Sequence, residues 1–492
     1  MKRSNFNLSH QKKLTADMGY IIPITWYEVL PGDILRQSTT ALIRMTPLVT
    51  PVMHRVFVRI HHFFVPNRLI WEDWEDFITG GPDGKNDSEH PVVRFSNPTA
   101  GGLADYLGVP PGTYSPIIPV SALPFRAYQL IYNEFYRDQD LATESLISKT
   151  SGIDSTTNIN LKKASWPKDY FTTCRPWEQK GDEVVIPVGG SAPITGIGSM
   201  GLTYSLSNQP VKETGKSVSS IYAKALKTDT TPLIYEQDPD NAGYPNIRAN
   251  LSAATGIPIN DLRLALALQR DLESKSQFGS RYSEVLAHEF GIRNQDARLQ
   301  RPEYLGGGKS VIQFSEVLST DGSNTGDMYG HGISAMRTNS FRRFIPEHGI
   351  VMSLMSVLPE PLYTVGLNRS FIRDTKEDYF DKTLQFIGEQ EVYNKEVQIT
   401  HTDREGIFGY QKRYDEYRYI PSSIAGDMRS TLNTWHYGRE FTGDVALNQT
   451  FTDCTPTKRT QADLTAKSMI ITAHHNLIAK RQIAKNPMPR TF

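Results

Sequence analysis

The sequence predicts a mainly β protein whose strands pair over long stretches of chain, as they do in β-sandwiches and jelly rolls. Aromatic residues are plentiful, with 23 Tyr and 21 Phe, and aromatic residues favour strands. Strand-like runs fall into two groups, one early and one late in the chain of 492 residues. A long polar block separates the groups, so strands from distant parts of the chain must meet.

The first group of strands is clearest in HRVFVRIHHFFV (54–65). Alternate residues such as Ile60 and His62 share one face of this strand, whereas His61 lies on the other. The adjacent histidines therefore cannot bind one ion together. Pro66 ends the run.

Helical spacing follows this strand directly. Apolar residues recur at helical intervals over 70–78, with Asn67 as the candidate N-cap and the acidic residues mostly on the outer face. We interpret the stretch as architecture rather than as an acid–base site. A helical or extended-plus-helical segment is predicted at 125–140, and helices are predicted at 259–275 and 280–291.

The block at 141–256 is polar and rich in Ser, Thr, Gly and Pro. Residues 189–201 contain five glycines, and no period governs the block. It is interpreted as a large insertion of loops and short strands. Its length indicates a function, because structureless loops of this size are otherwise uncommon.

The second group contains four strand-like runs separated by turns, at 310–318, 349–358, 384–397 and 408–420. Before them, YLGGGKS (304–310) predicts a glycine-rich loop. It is not a nucleotide-binding loop, since that motif requires glycine where Glu303 stands.

Both ends of the chain are basic. Residues 1–16 and 464–492 hold nine Lys or Arg and no Asp or Glu, whereas the intervening residues hold 44 bases and 53 acids. Basic ends suit a polyanion such as nucleic acid, because neutralising phosphates drives binding. The alternative is a pair of solvated tails. Within the C-terminal segment, His474 and His475 are interpreted as exposed or in contact with nucleic acid.

Catalytic motifs are missing from the sequence. HEFGI (288–292) lacks the second histidine of a zinc-protease helix, and no Gly-x-Ser-x-Gly elbow occurs. Cys174 and Cys454 form no CxxC motif and predict reduced thiols. We expect a soluble protein that folds in a cytoplasm, since no apolar run is long enough for a bilayer and no signal peptide is recognisable.

Two alternative functions stay open on the residues alone. One is a metal-dependent enzyme that uses His54, His61 or His62. The other is a carbohydrate-binding or cupin-like jelly roll with aromatic residues as a sugar platform. This second alternative lacks the clustered histidines and glutamates of cupins and leaves the basic ends unexplained.

Three long blocks resemble the major capsid proteins of the Microviridae. GYIIPITWYEVLPGD (19–33), followed by 44–81, resembles the N-terminal part of these proteins. SRYSEVLAHEFGIRNQDARLQRPEYLGGGK (280–309) is similar to their most distinctive internal block, and FGYQKRYDEYRYIPSSIAGDMR (408–429) to their C-terminal strand region. The three blocks occur in the family's order, and the resemblance is strongest to the gokushovirus-like branch.

The resemblance implies a viral eight-stranded antiparallel jelly roll with long inter-strand insertions and a few helices. It implies a T=1 icosahedral shell of sixty copies around circular single-stranded DNA, assembled in the host bacterial cytoplasm. The insertion would form a surface protrusion used in host attachment, at the threefold axes in gokushovirus relatives. Minor virion proteins, DNA-pilot or scaffolding proteins and a host surface receptor would be partners. No enzymatic activity, cofactor, metal or membrane span is expected.

The basic ends would then face the packaged DNA. Contacts should be independent of base sequence, with cations on phosphates and bases stacked on aromatic residues such as Phe6 or Phe492. The predicted DNA-binding residues are Lys2, Arg3, Lys12, Lys13, Lys480, Arg481, Lys485 and Arg490.

The predicted organisation has six parts. They are a basic N-terminal arm (1–16), the first part of the jelly-roll core (17–140), a variable surface insertion (141–256), a helical segment with the glycine-rich loop (257–310), the second part of the core (311–463) and a basic C-terminal tail (464–492).

Overall fold

The structure is a computed structural model, and the chain folds as two compact units. The first comprises Met1–Lys180 and Glu273–Phe492, and the second comprises Gly181–Leu272. The residues that the structure describes are 3–182, 184, 194–195, 248–249, 259–279, 282–289, 291, 300–320 and 326–485.

Sixteen strands are present among the described residues. In chain order they are β1 (Ser4–Asn7), β2 (His10–Ala16), β3 (Ile22–Val29), β4 (Ile34–Met45), β5 (Val56–Pro66), β6 (Val92–Phe95), β7 (Ile118–Ser121), β8 (Ile194–Thr195), β9 (Arg248–Ala249), β10 (Glu303–Leu318), β11 (Met328–Arg337), β12 (Phe341–Phe344), β13 (Gly349–Pro359), β14 (Glu389–Tyr393), β15 (Ile407–Lys412) and β16 (Met469–Arg481).

The α-helices of the described residues are fewer and mostly short. They are α1 (Trp74–Thr79), α2 (Leu103–Leu107), α3 (Leu123–Ile131), α4 (Ile259–Phe278), α5 (Tyr282–Glu289), α6 (Asn394–Val397) and α7 (Gln449–Thr452). The helical segments predicted at 125–140, 259–275 and 280–291 are thus confirmed as α3 with a following π-turn, α4 and α5.

One curled antiparallel sheet organises the first unit. Its ten strands run in the order β1-β16-β4-β11-β10-β5-β13-β3, with β2 also paired to β16 and β12 also paired to β4. The mainly β, jelly-roll prediction is confirmed, and the early and late strands pair as expected. The smaller sheets are β6–β7 and β14–β15, and β8–β9 lies in the second unit.

The hydrophobic core between the two halves of the sheet joins residues from early and late strands, among them Ile43, Val58, Met355 and Ile471. A second apolar cluster covers the opposite face of β5 and β13 with residues of α2 and α3, such as Leu103. Strand β13 is therefore buried along its whole length, which explains why its sequence is continuously apolar.

The predicted alternation in β5 is confirmed. His62 is fully buried, whereas His61 lies on the other face and is partly exposed. The helix predicted over 70–78 is shorter than expected: Asn67 opens a 3-10 turn, and α1 begins only at Trp74. Between the two, Ile70 and Trp71 are fully buried in the core.

The glycine-rich loop predicted at 304–310 is wrong, because these residues belong to β10 and pair with β5. Gly307 and Gly308 are needed for close packing rather than for a turn. A Cβ on Gly307 would lie 2.2 Å from the Ile60 carbonyl oxygen, and one on Gly308 would lie 3.0 Å from the Thr338 Cα. The sequence pattern could not show this approach, because it depends on two distant strands.

The second compact unit begins at Gly181, later than the insertion boundary predicted at 141. Residues before it carry buried aromatic side chains of the first unit, including Trp166 and Phe171. Most of the predicted insertion lies outside the described residues.

Candidate nucleic-acid interface

Six neighbouring strands of the main sheet contain no acidic residue. Strands β1, β2, β4, β11, β12 and β16 together hold 50 residues, of which nine are Lys or Arg and none is Asp or Glu. Acidic residues outnumber basic ones in the rest of the chain, so this distribution is local. We call the face of these strands that points away from the core the open face.

Burial along β16 and β4 defines the two faces. In β16 the side chains alternate, with Ile471, Ala473 and Leu477 buried and Ile470 and Ile478 exposed. Strand β4 alternates in register with β16. The open face therefore carries every second residue of these strands, and the other residues enter the core.

Basic side chains recur across the open face. Arg36 of β4 lies opposite Arg342 of β12 on one side and Ile478 of β16 on the other. Arg44 of β4 and Arg337 of β11 lie further along the same face, and all four arginines are exposed. They make no ion pair with another described residue.

Apolar side chains lie between these cations. Leu42, Ile470 and Phe344 are 44%, 53% and 52% exposed. Ile470 lies directly opposite Arg44 in the ladder. The guanidinium groups of this surface offer phosphate contacts, and Phe344 offers an aromatic ring on which an unstacked base could stack.

Four of the predicted DNA-binding residues are exposed, namely Arg3, Lys13, Lys480 and Lys485. Lys13 on β2 and Lys480 on β16 point from the open face, and Lys485 follows the end of β16. Lys2 and Arg490 lie outside the described residues.

Two of the predicted residues hold the chain ends against the body. The Arg3 Nε donates a hydrogen bond to the Gly32 carbonyl oxygen at 2.8 Å. Arg481 pairs with the buried carboxylate of Asp33 at 3.0 Å and donates to the Glu28 carbonyl oxygen at 2.8 Å. Arg3 and Arg481 therefore make contacts that stabilise the fold, in addition to adding positive charge.

Lys12 has a different environment from its neighbour Lys13. Its ammonium donates hydrogen bonds to the carbonyl oxygens of Pro23, at 3.1 Å, and Tyr106. Burial lowers the Lys12 pKa to about 8, although Asp105 opposes the shift. Lys12 therefore joins β2 to β3 across the gap between the two ends of the sheet.

The aromatic residues suggested for base stacking receive little support. Phe6 is paired with Ala479, whose side chain is fully buried, so Phe6 lies on the core side of β1. Phe492 lies outside the described residues.

Sequence reasoning missed Arg36, Arg44, Arg337 and Arg342, because it examined only the ends of the chain. A usable signal was present: the strand segments that carry them lack acidic residues. Only the strand order shows that these segments are neighbours of the terminal strands.

The candidate metal-ligating histidines are held by the core. His61 shares a hydrogen bond with the Tyr136 hydroxyl at 2.8 Å, and His62 with Ser353 at 2.8 Å. His54 contacts the Glu360 carbonyl oxygen at 2.8 Å. Burial lowers the pKa of each histidine to about 4, so each is neutral at neutral pH.

Within the described ranges, no group of three or more His, Cys, Asp or Glu has the arrangement of a metal site. The helices of the same ranges include none with the length and apolar character that a bilayer span requires. Cys174 and Cys454 are both buried free thiols.

Jelly rolls form viral capsid subunits as well as lectins and cupins, and a basic, open face is compatible with the first of these classes. Comparison with known proteins identifies the family. The chain belongs to the capsid protein (F protein) family, whose model matches residues 1–490.

Relatives support this membership along almost the whole chain. Capsid protein VP1 of Bdellovibrio phage phiMH2K is 37% identical over 485 residues, covering 93% of this chain and 89% of the relative. Capsid protein VP1 of Chlamydia phage 1 is 34% identical over 533 residues, covering 92% and 89%. Capsid protein VP1 of Spiroplasma virus 4 is 31% identical over 475 residues, covering 89% and 85%.

The resemblance to Microviridae capsid proteins is thereby confirmed. The protein is a structural component of a virion and not an enzyme, and membership of a capsid family implies self-association into a shell. The two alternative functions, a metal-dependent enzyme and a carbohydrate-binding protein, are therefore not supported.

Proposed function

We propose that this protein builds a T=1 icosahedral shell of sixty copies around circular single-stranded DNA, with the open face turned toward the DNA. The observation that carries the proposal is the set of six adjacent strands with nine basic residues and no acidic one. Repulsion within such a face is relieved when phosphates neutralise it.

The asymmetry of the sheet supports this orientation. The opposite half, around β5 and β13, is covered by α2, α3 and their connecting segments. An inner wall must stay free for nucleic acid, whereas covering segments add bulk on the outside. We assign Lys13, Lys480 and Lys485 to DNA contact, with Arg3, Arg481, Lys2 and Arg490 as neighbouring cations. Lys12 supports the sheet instead.

The predicted insertion would face outward and serve host attachment. Gly181–Leu272 forms a compact unit of its own, which supports a module separate from the shell body. Minor virion proteins and DNA-pilot or scaffolding proteins would assist assembly in the host bacterial cytoplasm. A host surface receptor would be the partner of the insertion.

Particles from the native producer test the proposal. They are sedimented through a gradient, and the ratio of absorbance at 260 and 280 nm is followed with nuclease-protected DNA. We expect one fast zone that contains this protein and protected single-stranded DNA. A slow zone without nucleic acid would contradict the proposal.

The role of the open face is tested by replacing Lys13 and Lys480 with Gln. The control replaces Lys85 and Lys149, which are exposed but lie outside the main sheet, in the same way. We expect shells from both variants, with less DNA per shell only in the first. Equal DNA content in the two variants would show that the DNA lies elsewhere.

A further inference from the structure

A group of large apolar side chains is exposed on the first unit, far in sequence from the open-face strands. Phe371 and Ile420 are each 78% exposed, and Tyr379, Phe380 and Tyr417 are 55%, 52% and 51% exposed. We call these five residues the apolar platform. Soluble proteins usually scatter such side chains, so a group of them needs a reason.

Tyr379, Phe380, Tyr417 and Ile420 are neighbours in space. The rings of Phe380 and Tyr417 are 6.0 Å apart, and the Tyr417 hydroxyl accepts a hydrogen bond from the Phe380 backbone N–H at 3.3 Å. The Arg373 guanidinium lies over both Tyr379, at 5.2 Å, and Tyr417, at 4.6 Å. Ile420 lines a cavity together with Tyr417 and Arg373.

Phe371 is joined to this group through its neighbours in the chain. It ends a 3-10 turn that begins at Arg369, and Arg369 and Ser370 line the cavity beside Ile420. The platform is therefore assembled from three short 3-10 turns, Arg369–Phe371, Lys376–Asp378 and Asp415–Tyr417, and the residues that follow them.

A buried ionic network holds these turns in place. Arg369 pairs with Glu396 at 2.8 Å, and Arg373 pairs with Glu416 at 3.3 Å. Gln390 donates a further hydrogen bond to Glu416 at 2.7 Å. The side chains of the four charged residues are at most 14% exposed, so the network is shielded from water.

The network holds the platform's aromatic side chains facing solvent, whereas side chains of this kind are more often buried in the core. A rigid surface of this kind loses little conformational freedom when another surface covers it. Tyr and Arg are also the residue types that contribute most at protein interfaces. The geometry is therefore that of a preorganised binding surface.

We propose that the apolar platform is an interface that binds a second copy of this chain within the shell. At roughly 200 Å² for a large side chain, the exposed fractions amount to roughly 600 Å² of apolar surface. A stable interface buries about 800 Å² on each partner, so the platform supplies most of one interface. The inference rests on the proposed function, because a shell subunit must contact other copies.

The test replaces Phe371 and Ile420 together by Ser in the full-length protein. Both side chains project into solvent, so the unassembled variant should have the melting temperature of the unmodified protein. We expect its sedimentation to remain that of the single subunit under conditions in which the unmodified protein forms shells. Normal shell formation by this variant would overturn the inference and leave the proposed function intact.

A matched control replaces Leu146 and Leu464, which are 66% and 62% exposed, by Ser. This control should assemble normally. If it lost assembly as much as the Phe371→Ser/Ile420→Ser variant, the effect would not be specific to the apolar platform. Failure of the unmodified protein to form shells would count against the proposed function itself. Shells of the Phe371→Ser/Ile420→Ser variant that form but no longer attach to host cells would assign the platform to a receptor instead.

A second variant, Arg373→Lys, keeps the positive charge beside Glu416 but lacks the planar group that stacks on Tyr379 and Tyr417. We expect assembly at a several-fold higher protein concentration. Assembly at the unmodified concentration would show that the stacked geometry has no part in the interface.

Discussion

Arg36 on β4 and Arg342 on β12 lie directly opposite each other in the antiparallel ladder, and both are exposed on the open face. Like charges in this position destabilise a strand pair. None of the six strands of this face carries an acidic residue to relieve the repulsion. The pair is therefore suited to a bound polyanion rather than to the stability of the isolated subunit.

Replacing Arg342 by Gln should separate these two effects. The free energy of unfolding of the isolated subunit should rise by about 0.2–1 kcal/mol at low salt, because the cross-strand repulsion disappears. Affinity for a single-stranded oligonucleotide should fall, and the slope of log affinity against log salt should decrease by about 0.7 for one lost phosphate contact. Denaturant titration and fluorescence anisotropy measure the two quantities. An unchanged slope of log affinity against log salt would show that Arg342 does not contact the phosphates of DNA.

Lys12 and Lys13 are adjacent in sequence, but substitution by Met should affect stability at Lys12 and DNA affinity at Lys13. Loss of the Lys12 ammonium leaves the Pro23 and Tyr106 carbonyl oxygens without this donor. We expect unfolding to become easier by about 1–3 kcal/mol, as measured by denaturant titration. Lys13→Met should leave this stability within about 0.5 kcal/mol and lower the affinity for DNA. Equal changes in stability and in DNA affinity for the two variants would contradict a structural role for Lys12 and a DNA contact for Lys13.

Stability should depend on the protonation of His62. Burial lowers its pKa in the fold to about 4, with a smaller contribution from His61, whereas the ordinary value is 6.5. The neutral form is favoured by the fold, so the contribution to stability is complete above pH 6.5 and is lost as the pH falls toward 4. At pH 5 the loss is about 2 kcal/mol.

Substitution of His62 by Gln tests this dependence. The variant should be less stable at pH 7, yet should lose less free energy of unfolding between pH 7 and pH 5 than the unmodified subunit. Denaturant titrations at the two pH values give the comparison. An identical loss in both proteins would mean that other groups govern acid sensitivity.

Gly307→Ala should disrupt the pairing of β10 with β5. The added Cβ would lie 2.2 Å from the Ile60 carbonyl oxygen, which is part of the neighbouring backbone and cannot move alone. We expect a loss of at least about 2 kcal/mol in the free energy of unfolding. Gly443→Ala is the control, since a Cβ at Gly443 would enter open space with nothing within 4 Å. Similar melting temperatures for the two variants would contradict the packing argument.

Local patterns were sufficient for much of the fold. The alternation in β5 and the helical spacing at 259–275 depend on nearby residues, and both predictions agree with the structure. Gly307 and Gly308 show where this fails, because their role depends on the approach of β5 and of Thr338. A glycine run has the same sequence appearance in a turn and in a crowded strand.

The candidate interface was predictable only in part, for the same reason. Exposure of Lys13 and Lys480 agrees with the basic ends, whereas Lys12 lies on the other face of β2 and is half-buried against β3. His474 is exposed as expected, but His475 is fully buried, so exposure was wrong for His475. The arginines of β4, β11 and β12 could not be assigned to this surface from the sequence, because only the strand order shows that β4 adjoins the terminal strand β16 and that β11 and β12 adjoin β4.

The position of β16 has a consequence for synthesis on the ribosome. This strand lies between β4 on one side and β1 and β2 on the other, and Ser4 pairs with Arg481. A growing chain therefore has no continuous basic face until the last of the six strands has emerged. If the open face binds DNA as proposed, chains that have not yet made β16 should bind DNA more weakly than chains that have made it.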